Sequence, residues 1–229
     1  MFFPGLMGLF INPYYFSRKG LYKGIVSNKH QMRGKLLDFG CGSKPYRSLF
    51  DVQEYIGLDI EKSGHNHDDE NIDVYYDGEY IPFSDNYFDS VFSSQVLEHA
   101  PNPTSILKEI NRVMKHGGYF LVTVPFVFDE HEIPYDFNRW TSFGIKELFI
   151  QNNFEIINMA KSTNYVETLI QLWNAYTYQH IFPQKNEYLK LVLTILLIAP
   201  MSLFGLFLSK LLPKSNILYL DNTLVVKKP

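Results

Sequence analysis

A short glycine-containing loop places the strongest constraint on how this chain folds. The run "KLLDFGCG", residues 35–42, joins an apolar segment with an acid near its end to two glycines. Gly40 and Gly42 let the backbone turn sharply and approach a ligand without a Cβ in the way. Ser43 can cap a following helix, and Pro45 suits the first turn of that helix. The run therefore predicts a strand, a ligand-binding loop and a helix N-terminus, in that order.

Strand-like and helix-like segments alternate from residue 35 onward, which predicts an α/β fold with a mostly parallel sheet covered by helices. One helix is predicted over 103–118, with an apolar face and with Gly117 and Gly118 at its end. The predicted strands are 35–39, 54–60, 71–77, 88–94, 119–125, 154–162 and 222–228. We expect four segments: an apolar and basic helical segment at 1–34, a core at 35–164, an apolar helical insertion at 165–215, and the final strand of the core at 216–229.

The residues around the glycine loop indicate what it binds. A helix N-terminus favours an anion such as a carboxylate. Asp38 would repel a phosphate but attract an ammonium group, and Pro45 stands where a dinucleotide-binding loop has its third glycine. A ligand with carboxylate and ammonium together fits, so a nicotinamide-dependent oxidoreductase is disfavoured. Asp59 ends the second strand, where an acid can accept hydrogen bonds from ribose hydroxyls. An amino acid joined to a ribose points to S-adenosylmethionine.

With these segments in place, the sequence resembles the class I S-adenosylmethionine-dependent methyltransferases that act on small molecules, lipids and glycans. The resemblance rests on "LLDFGCGSKPY", "YIGLDI", "DGEYIPFSDNYFDSVFSSQVLEHAPNP" and "ILKEINRVMKHGGYFLVTVP". It implies a Rossmann-like, seven-stranded, mostly parallel sheet with an antiparallel final strand, and with the apolar helical insertion before that strand. The cofactor-binding residues that we predict are Asp38, Gly40, Gly42, Asp59, Asp77, Ser94 and Gln95.

The resemblance gives each of these side chains a role, and some also have a structural interpretation. Asp38 and Gly40 would contact the methionine end and Asp59 the ribose, while Ser94 and Gln95 would lie at the sulfonium side. Asp77 would contact the adenine amino group, or it is simply a turn residue. We expect Glu98 and His99 to hold a loop in place rather than to perform chemistry. Lys44 and Arg47 are interpreted as surface charge, although either could approach the cofactor's carboxylate.

The loop "PFVFDEHEIPYDFNRWT", residues 125–141, follows the fifth strand at the edge of the sheet where ligands bind. We predict His131 as the catalytic base or substrate-orienting residue, because imidazole titrates near neutral pH. The alternative is that His131 and Arg139 only knit this long loop together. "GHNHDDEN", residues 64–71, holds His65, His67, Asp68 and Asp69, but its composition is also that of a polar loop, so no metal site is predicted.

An uncharged stretch from Leu191 to Ser209 is almost long enough to cross a hydrocarbon core. A single crossing conflicts with the return of the last strand to the sheet, and Pro200 interrupts the helix. We expect monotopic attachment through a helical pair at 165–212. Basic residues nearer the N-terminus would face anionic headgroups: Arg18, Lys19, Lys23, Lys29 and Arg33. The alternative is a helix pair that is buried or forms a dimer.

Composition limits the remaining possibilities. A formal charge of −3 gives no general case for nucleic acid, and the single cysteine, Cys41, fits a reducing cytoplasm. The N-terminus has no basic region or cleavage site of a secretory signal. The sequence thus predicts a cytoplasmic, membrane-associated enzyme. Its reaction would be S-adenosylmethionine-dependent methyl transfer to a glycan, a lipid-linked sugar or another lipophilic acceptor. The alternative function is a non-catalytic, cofactor-binding interaction module.

Overall fold

The computed structural model describes residues 3–60 and 71–229 of the chain. It divides the chain into two compact units, one built from residues 1–24 and 161–221 and the other from residues 25–160 and 222–229. The predicted cofactor-binding residues all belong to the second unit. The α-helices are α1 (Leu6–Ile11), α2 (Tyr15–Asn28), α3 (Pro103–Val113), α4 (Ser142–Gln151), α5 (Tyr165–Tyr176), α6 (Glu187–Leu193) and α7 (Ala199–Leu211).

The second unit contains the sheet, whose seven strands lie in the order β3-β2-β1-β4-β5-β7-β6. Strands β1 to β5 pair in parallel, and β7 runs antiparallel beside β5. This arrangement confirms the predicted fold class, including the return of the last strand to the sheet. The strands are β1 (Lys35–Phe39), β2 (Glu54–Ile60), β3 (Val74–Tyr76), β4 (Phe88–Ser94), β5 (Met114–Pro125), β6 (Glu155–Lys161) and β7 (Asp221–Lys227).

The end of α3 differs from the prediction. The helix stops at Val113 rather than at the two glycines, because Met114 is extended and fully buried and already pairs with Phe88 of β4. The register then shifts, and Ser90 pairs with Tyr119. Gly117 and Gly118 therefore lie within an irregular stretch of β5, where a Cβ on Gly118 would come within 2.8 Å of a backbone carbonyl oxygen.

Helices α3 and α4 cover the sheet with their apolar faces. Leu107, Ile110 and Val113 of α3 are fully buried in the main core, as are Ile145 and Phe149 of α4. Because β1, β2, β4 and β5 are parallel, their carboxyl ends meet at one edge of the sheet. Ligands of such sheets bind at this edge.

The first unit is helical. Residues Glu187–Leu211 form one 25-residue helix that is long and apolar enough to span a membrane, within the described part of the chain. A π-helical turn, Thr194–Ile198, interrupts this helix just before Pro200. The physical reason is that proline has no N–H to donate to the carbonyl one turn earlier. Gly205 of α7 lets Ile170 of α5 approach closely, since a Cβ there would lie 2.9 Å from the Ile170 side chain.

Candidate cofactor and acceptor site

The glycine loop after β1 is held against the end of β2. The N–H groups of Gly40 and Cys41 both donate to the carbonyl of Leu58, at 2.8 and 3.1 Å. Gly40 has a φ of +70°, and a Cβ there would lie 2.4 Å from the Val96 side chain. Only glycine therefore fits this position, because of its φ and of the Val96 side chain. Close approach of a ligand to Gly40 stays a prediction.

The predicted helix after this loop is wrong. Between the loop and β2, residues 43–53 contain only a three-residue 3₁₀ turn, Arg47–Leu49. Lys44 has a φ of +53°, which interrupts a right-handed helix, and buried Tyr46 and Phe50 pack edge-on or tilted against Phe92. The anion-binding helix N-terminus expected from the sequence is consequently not part of this site.

Asp38 supplies a buried carboxylate at the end of β1. Its side chain is 3% exposed, and its Oδ2 accepts a hydrogen bond from the Tyr55 hydroxyl. Burial raises the pKa of Asp38 to about 7, against the opposing hydrogen bond from Tyr55 and with a further contribution from the charge of Asp59. A cation bound beside Asp38 would favour its ionised form, which is the chemistry expected for an ammonium group.

Asp59, at the end of β2, closes the glycine loop. Its Oδ2 accepts the Gly42 N–H at 2.7 Å and its Oδ1 accepts the Ile60 N–H at 2.8 Å. Each carboxylate oxygen can accept more than one hydrogen bond, so the predicted ribose contact is compatible with this arrangement. Bracing of the loop by Asp59 was not apparent from the sequence, because it depends on a contact between residues 17 positions apart.

Lys44 is part of the site rather than simple surface charge. Its Nζ lies 2.7 Å from Asp73 Oδ2, which also accepts the Gly57 N–H at 2.7 Å. Although burial disfavours the charged form, the hydrogen bonds from Lys44 and Gly57 hold the pKa of Asp73 below its usual value. A Cβ on Gly57 would lie 2.2 Å from Lys44 Cε, so the glycine gives the lysine its path across β2. Arg47 instead lies over the Tyr55 ring, 4.5 Å from its centroid.

Asp77 is exposed and organises a turn. Its Oδ1 accepts the N–H groups of Glu79 and Tyr80 at 2.9 and 2.8 Å, and these bonds lower its pKa. The geometry is that of the turn residue considered as the alternative for this position. Contact of Asp77 with an adenine stays a prediction.

Ser94 and Gln95 follow β4 at the same edge, and both are tied to β5. Ser94 Oγ lies 2.9 Å from Thr123 Oγ1, and the Gln95 N–H donates to the Thr123 carbonyl at 3.0 Å. Gln95 has a φ of +60°, a conformation uncommon for a residue other than glycine. Because β4 lies next to β1, these two residues and Asp38 come together at neighbouring strand ends.

His131 lies in the loop that follows β5. Its N–H donates to Asp136 Oδ2 at 3.0 Å, and its Nδ1 lies 3.1 Å from the Asp129 carbonyl. Arg139 forms two hydrogen bonds with the Asp136 carboxylate, at 2.5 and 2.6 Å. The loop is therefore knitted together as the structural alternative supposed, while the ring of His131 stays about one-third exposed.

Glu98 and His99 contact this same loop. The Glu98 carbonyl accepts the N–H groups of Phe137 and Asn138, at 2.9 and 3.1 Å. The rings of His99 and His131 are perpendicular, with 4.9 Å between their centroids. The loop-holding role predicted for Glu98 and His99 agrees with these bonds, but their closeness to His131 was missed. The group considered as a metal cluster, His65, His67, Asp68 and Asp69, lies outside the described residues.

An acid and a glycine loop at the carboxyl edge of a mostly parallel sheet define an α/β cofactor-binding domain. The comparisons narrow that class. Residues 37–122 match the family model described as a methyltransferase domain. Over these residues the chain is similar to the class I S-adenosylmethionine-dependent methyltransferases, and the cofactor of that family is S-adenosylmethionine. The residues present fit this cofactor, because Asp38 is a buried partner for an ammonium group and the loop at Gly40 has no room for a side chain.

Known proteins resemble parts of the chain. A sterol 24-C-methyltransferase of Gibberella zeae is 35% identical over 101 residues, which cover 38% of this chain and 26% of that protein. A fatty-acid O-methyltransferase of Mycolicibacterium smegmatis is 28% identical over 163 residues, covering 66% of this chain and 58% of that protein. The chain thus spans less than two thirds of either relative.

A solved structure shows the same fold over nearly the whole chain. It comes from the complex between the Haloferax volcanii Trm112 methyltransferase activator and a methyltransferase. The TM-score is 0.57 at 18% identity, and the match covers 93% of this chain and 91% of that chain. At this identity the similarity concerns the fold alone.

Proposed function

We propose that this protein transfers a methyl group from S-adenosylmethionine to a lipophilic acceptor at a membrane surface, such as a lipid or a lipid-linked sugar. The observation that carries the proposal is the buried carboxylate of Asp38 beside the glycine loop that Asp59 closes. A domain that only kept the fold would have no use for a buried acid whose ionisation burial opposes. The lipid part is supported by the similarity to sterol and fatty-acid methyltransferases.

The cofactor supplies an electrophilic methyl group, and the protein's own residues provide orientation. Asp38 would hold the ammonium group and Asp59 the ribose, which fixes the cofactor along the ends of β1 and β2. Ser94 and Gln95 would border the reacting side, with Thr123 holding both in place. Alignment of two reactants in this way is the main contribution that such a displacement requires.

The loop around His131 is proposed as the acceptor side. His131 has a fixed backbone, because its N–H is bonded to Asp136, and its ring is partly open to solvent. A hydroxyl or carboxyl acceptor must lose or lack its proton when it attacks, and an imidazole can take up that proton near neutral pH. His131 is therefore proposed to activate or orient the acceptor.

Exposed apolar side chains support the proposed attachment to membrane. Only 28% of the most apolar 18-residue part of Glu187–Leu211 is buried. Helix α1 packs with α7 and exposes Leu6 and Met7. The exposed apolar residues on the long helix include Leu191, Ile195, Leu196, Leu197, Leu203, Phe204, Phe207 and Leu211. Strand β6 precedes this helix and β7 follows it in the same sheet, an order that favours entry and exit on one side of the membrane. We therefore propose monotopic attachment from the cytoplasmic side.

A two-step measurement tests the function. Calorimetry with S-adenosylmethionine measures binding, and isotope-labelled methyl donor mixed with the protein and a cellular lipid extract measures transfer. We expect the unmodified protein to bind S-adenosylmethionine and to transfer the label to a lipid. The Asp38→Asn variant should transfer no label. Binding without transfer to any lipid of the extract would contradict the proposed lipid acceptor, and a parallel assay with an aqueous extract would then separate another methyltransferase from a non-catalytic cofactor-binding module. Absence of binding would contradict the whole proposal.

A further inference from the structure

Three side chains of types that bind metal ions lie close together where the turn after β4 meets the loop after β5. Glu98 and His99 lie in the 3₁₀ turn after β4, and His131 lies in the loop after β5. The ligand atoms of these three residues all lie within 4.8 Å of one another. The Glu98 carboxylate is fully buried, whereas both histidine rings are partly exposed. One side of the cluster is thus closed by protein and the other is open to a small ligand.

The hydrogen bonds of the two histidines indicate which nitrogen of each ring carries the proton. His99 Nδ1 lies 2.8 Å from the Tyr135 carbonyl, and His131 Nδ1 lies 3.1 Å from the Asp129 carbonyl. A carbonyl oxygen only accepts, so both Nδ1 atoms carry the proton in the neutral rings. Each Nε2 then has a lone pair available. A ring whose second nitrogen donates to a carbonyl or carboxylate is the usual arrangement of a histidine that binds a metal.

The acidic groups stand at the right places to complete such a site. His99 Nε2 lies 4.0 Å from Glu98 Oε1 and 3.8 Å from Glu132 Oε2, and both separations are too long for hydrogen bonds. Two ligands of a tetrahedral zinc ion, each about 2.0 to 2.1 Å from it, stand about 3.4 Å apart. Small side-chain rotations would bring these atoms to that separation. Glu132 has a φ of +52°, so the backbone presents it from a conformation that few residues adopt.

Arg139 brings positive charge close to the cluster. Burial disfavours its charged form, whereas the carboxylates of Asp136 and Glu98 raise the pKa of its guanidinium. Arg139 Nη2 lies 3.5 Å from His131 Nδ1, on the side of the ring away from Nε2. Its guanidinium is neutralised by the two-point contact with Asp136, whose side chain is 4% exposed. Asp136 Oδ2 also lies 3.3 Å from His131 Nδ1, so the carboxylate helps to orient the ring.

From this geometry we infer that Glu98, His99 and His131 bind one divalent transition-metal ion of the zinc type, with Glu132 as a fourth ligand. Two imidazoles with one or two carboxylates are a donor set that suits zinc, iron and cobalt rather than calcium or magnesium. The ligand atoms of Glu98, His99 and His131 lie within 4.8 Å of one another, which is close enough for one ion to contact all three. If the proposed methyl transfer holds, His131 would act by holding the ion rather than as a base. The ion would then bind the acceptor oxygen and ease the loss of its proton.

Cobalt is the probe for the test, because its bound form absorbs visible light. The full chain, without any histidine tag, is freed of metal with a chelator, dialysed and titrated with Co²⁺. We expect visible absorption that saturates at one equivalent and disappears when Zn²⁺ is added. His99→Gln and His131→Gln should abolish saturation, and Glu98→Gln should weaken it at least about tenfold. His30→Ala, which removes an exposed histidine, should bind as the unmodified protein does.

Cofactor affinity and circular dichroism, measured on the same samples, show whether each variant is folded. Absence of saturable cobalt binding in the folded protein overturns the inference, as does binding that survives both histidine changes. The metal titration needs no methyl transfer, so the two proposals fail separately. Cobalt binding without methyl transfer would support the ion site and contradict the proposed function. Methyl transfer that is unaffected by prior chelation would show that the ion takes no part in the reaction.

Discussion

Asp59 Oδ2 accepts the N–H of Gly42 at 2.7 Å, so the acid that ends β2 closes the loop that follows β1. The sequence suggested one task for each of these residues, namely a ribose contact for Asp59 and close ligand approach for Gly42. Their bond makes the tasks interdependent, because a change at Asp59 also releases the loop. Asp59 is 9% exposed, which strengthens the bond by excluding much of the competing water.

Asp59→Ala is therefore expected to weaken S-adenosylmethionine binding while leaving the protein folded. Loss of a hydrogen bond to a charged group costs about 1.5 to 3 kcal/mol, which corresponds to about a tenfold to hundredfold loss of affinity. Calorimetry on the folded variant measures it. Asp51→Ala, which removes an exposed acid from the segment before β2, serves as the control and should bind normally. Unchanged affinity for Asp59→Ala would argue against the ribose assignment.

A pair of glycine substitutions separates backbone strain from steric exclusion. Gly40 and Gly117 have φ values of +70° and +75°, so alanine at either position is strained by about 1 to 2 kcal/mol. A Cβ on Gly40 meets Val96 at 2.4 Å, whereas one on Gly117 has no described atom within 4 Å outside its immediate neighbours. We expect Gly40→Ala to lower stability more and to impair cofactor binding.

Gly117→Ala should cost only the strain and leave binding intact. Thermal unfolding and calorimetry on both variants check this pair. In the double variant Gly40→Ala/Val96→Ala, part of the loss should be recovered, because the clashing atoms are removed. If Gly40→Ala and Gly117→Ala lower stability and cofactor affinity equally, the close contact of Gly40 with Val96 is unimportant.

The raised pKa of Asp38 predicts that cofactor binding depends on pH. Burial raises this pKa to about 7, so the ligand-free protein carries a partly protonated Asp38 below neutrality. An ammonium group requires the ionised form, so binding releases a proton. Affinity should fall by about tenfold per pH unit below that pKa. An α-amino group has a pKa near 7.7 to 8.0, so the ligand's amino group is mostly protonated below pH 7 and does not cause this fall in affinity.

Calorimetry in buffers with different ionisation enthalpies would detect the released proton directly. Asp38→Asn is expected to bind more weakly and to lose this pH dependence. If the unmodified protein binds equally well at pH 5.5 and pH 7.5 and releases no proton, Asp38 is already ionised or does not contact the ammonium group.

The strands were more accessible to sequence reasoning than the contacts between them. The predicted bounds of β1, β2 and β4 are those of the structure, because each is a short segment with regularly placed apolar residues between turns. The end of α3 was predicted too late, since burial of Met114 against β4 outweighs the local glycine signal. The helix after the glycine loop was predicted but does not form, because the sequence does not reveal the left-handed conformation of Lys44.

In the site, too, residues of one short segment could be predicted from the sequence, whereas contacts between distant segments could not. Asp38, Gly40 and Gly42 follow from one short segment. The Tyr55 hydroxyl beside Asp38 and the ion pair of Lys44 with Asp73 depend on the pairing of β1 with β2 and of β2 with β3. Pairing of His99 with His131 joins loops that follow two different strands. Such contacts arise from the order of strands in the sheet, which composition and periodicity do not specify.

His131→Ala is expected to reduce turnover far more than cofactor affinity, because the residue lies on the proposed acceptor side. Loss of a general base costs about 100-fold to 10,000-fold in rate. His30→Ala provides the matched control at an exposed position. Normal turnover of His131→Ala with saturating acceptor would leave His131 with only its loop-holding role.

The exposed apolar face of the long helix predicts binding to membranes. Leu196 and Phe207 are 62% and 60% exposed, and burial of such side chains in a lipid interface stabilises the bound state in proportion to their apolar area. The unmodified protein should float with vesicles of mixed neutral and anionic lipid. Leu196→Ser/Phe207→Ser should shift most of the protein to the unbound fraction without changing S-adenosylmethionine affinity, because neither residue belongs to the cofactor site.

The control for this prediction removes equally exposed apolar groups from α4. Phe143 and Ile150 are 83% and 46% exposed, so Phe143→Ser/Ile150→Ser changes a similar apolar area in the other unit. This variant should still float with the vesicles. If the unmodified protein stays with the soluble fraction and sediments as a dimer that Leu196→Ser/Phe207→Ser separates into monomers, a second copy of the chain covers the helix instead. A monomer that does not bind vesicles would contradict both membrane attachment and dimer formation through this helix.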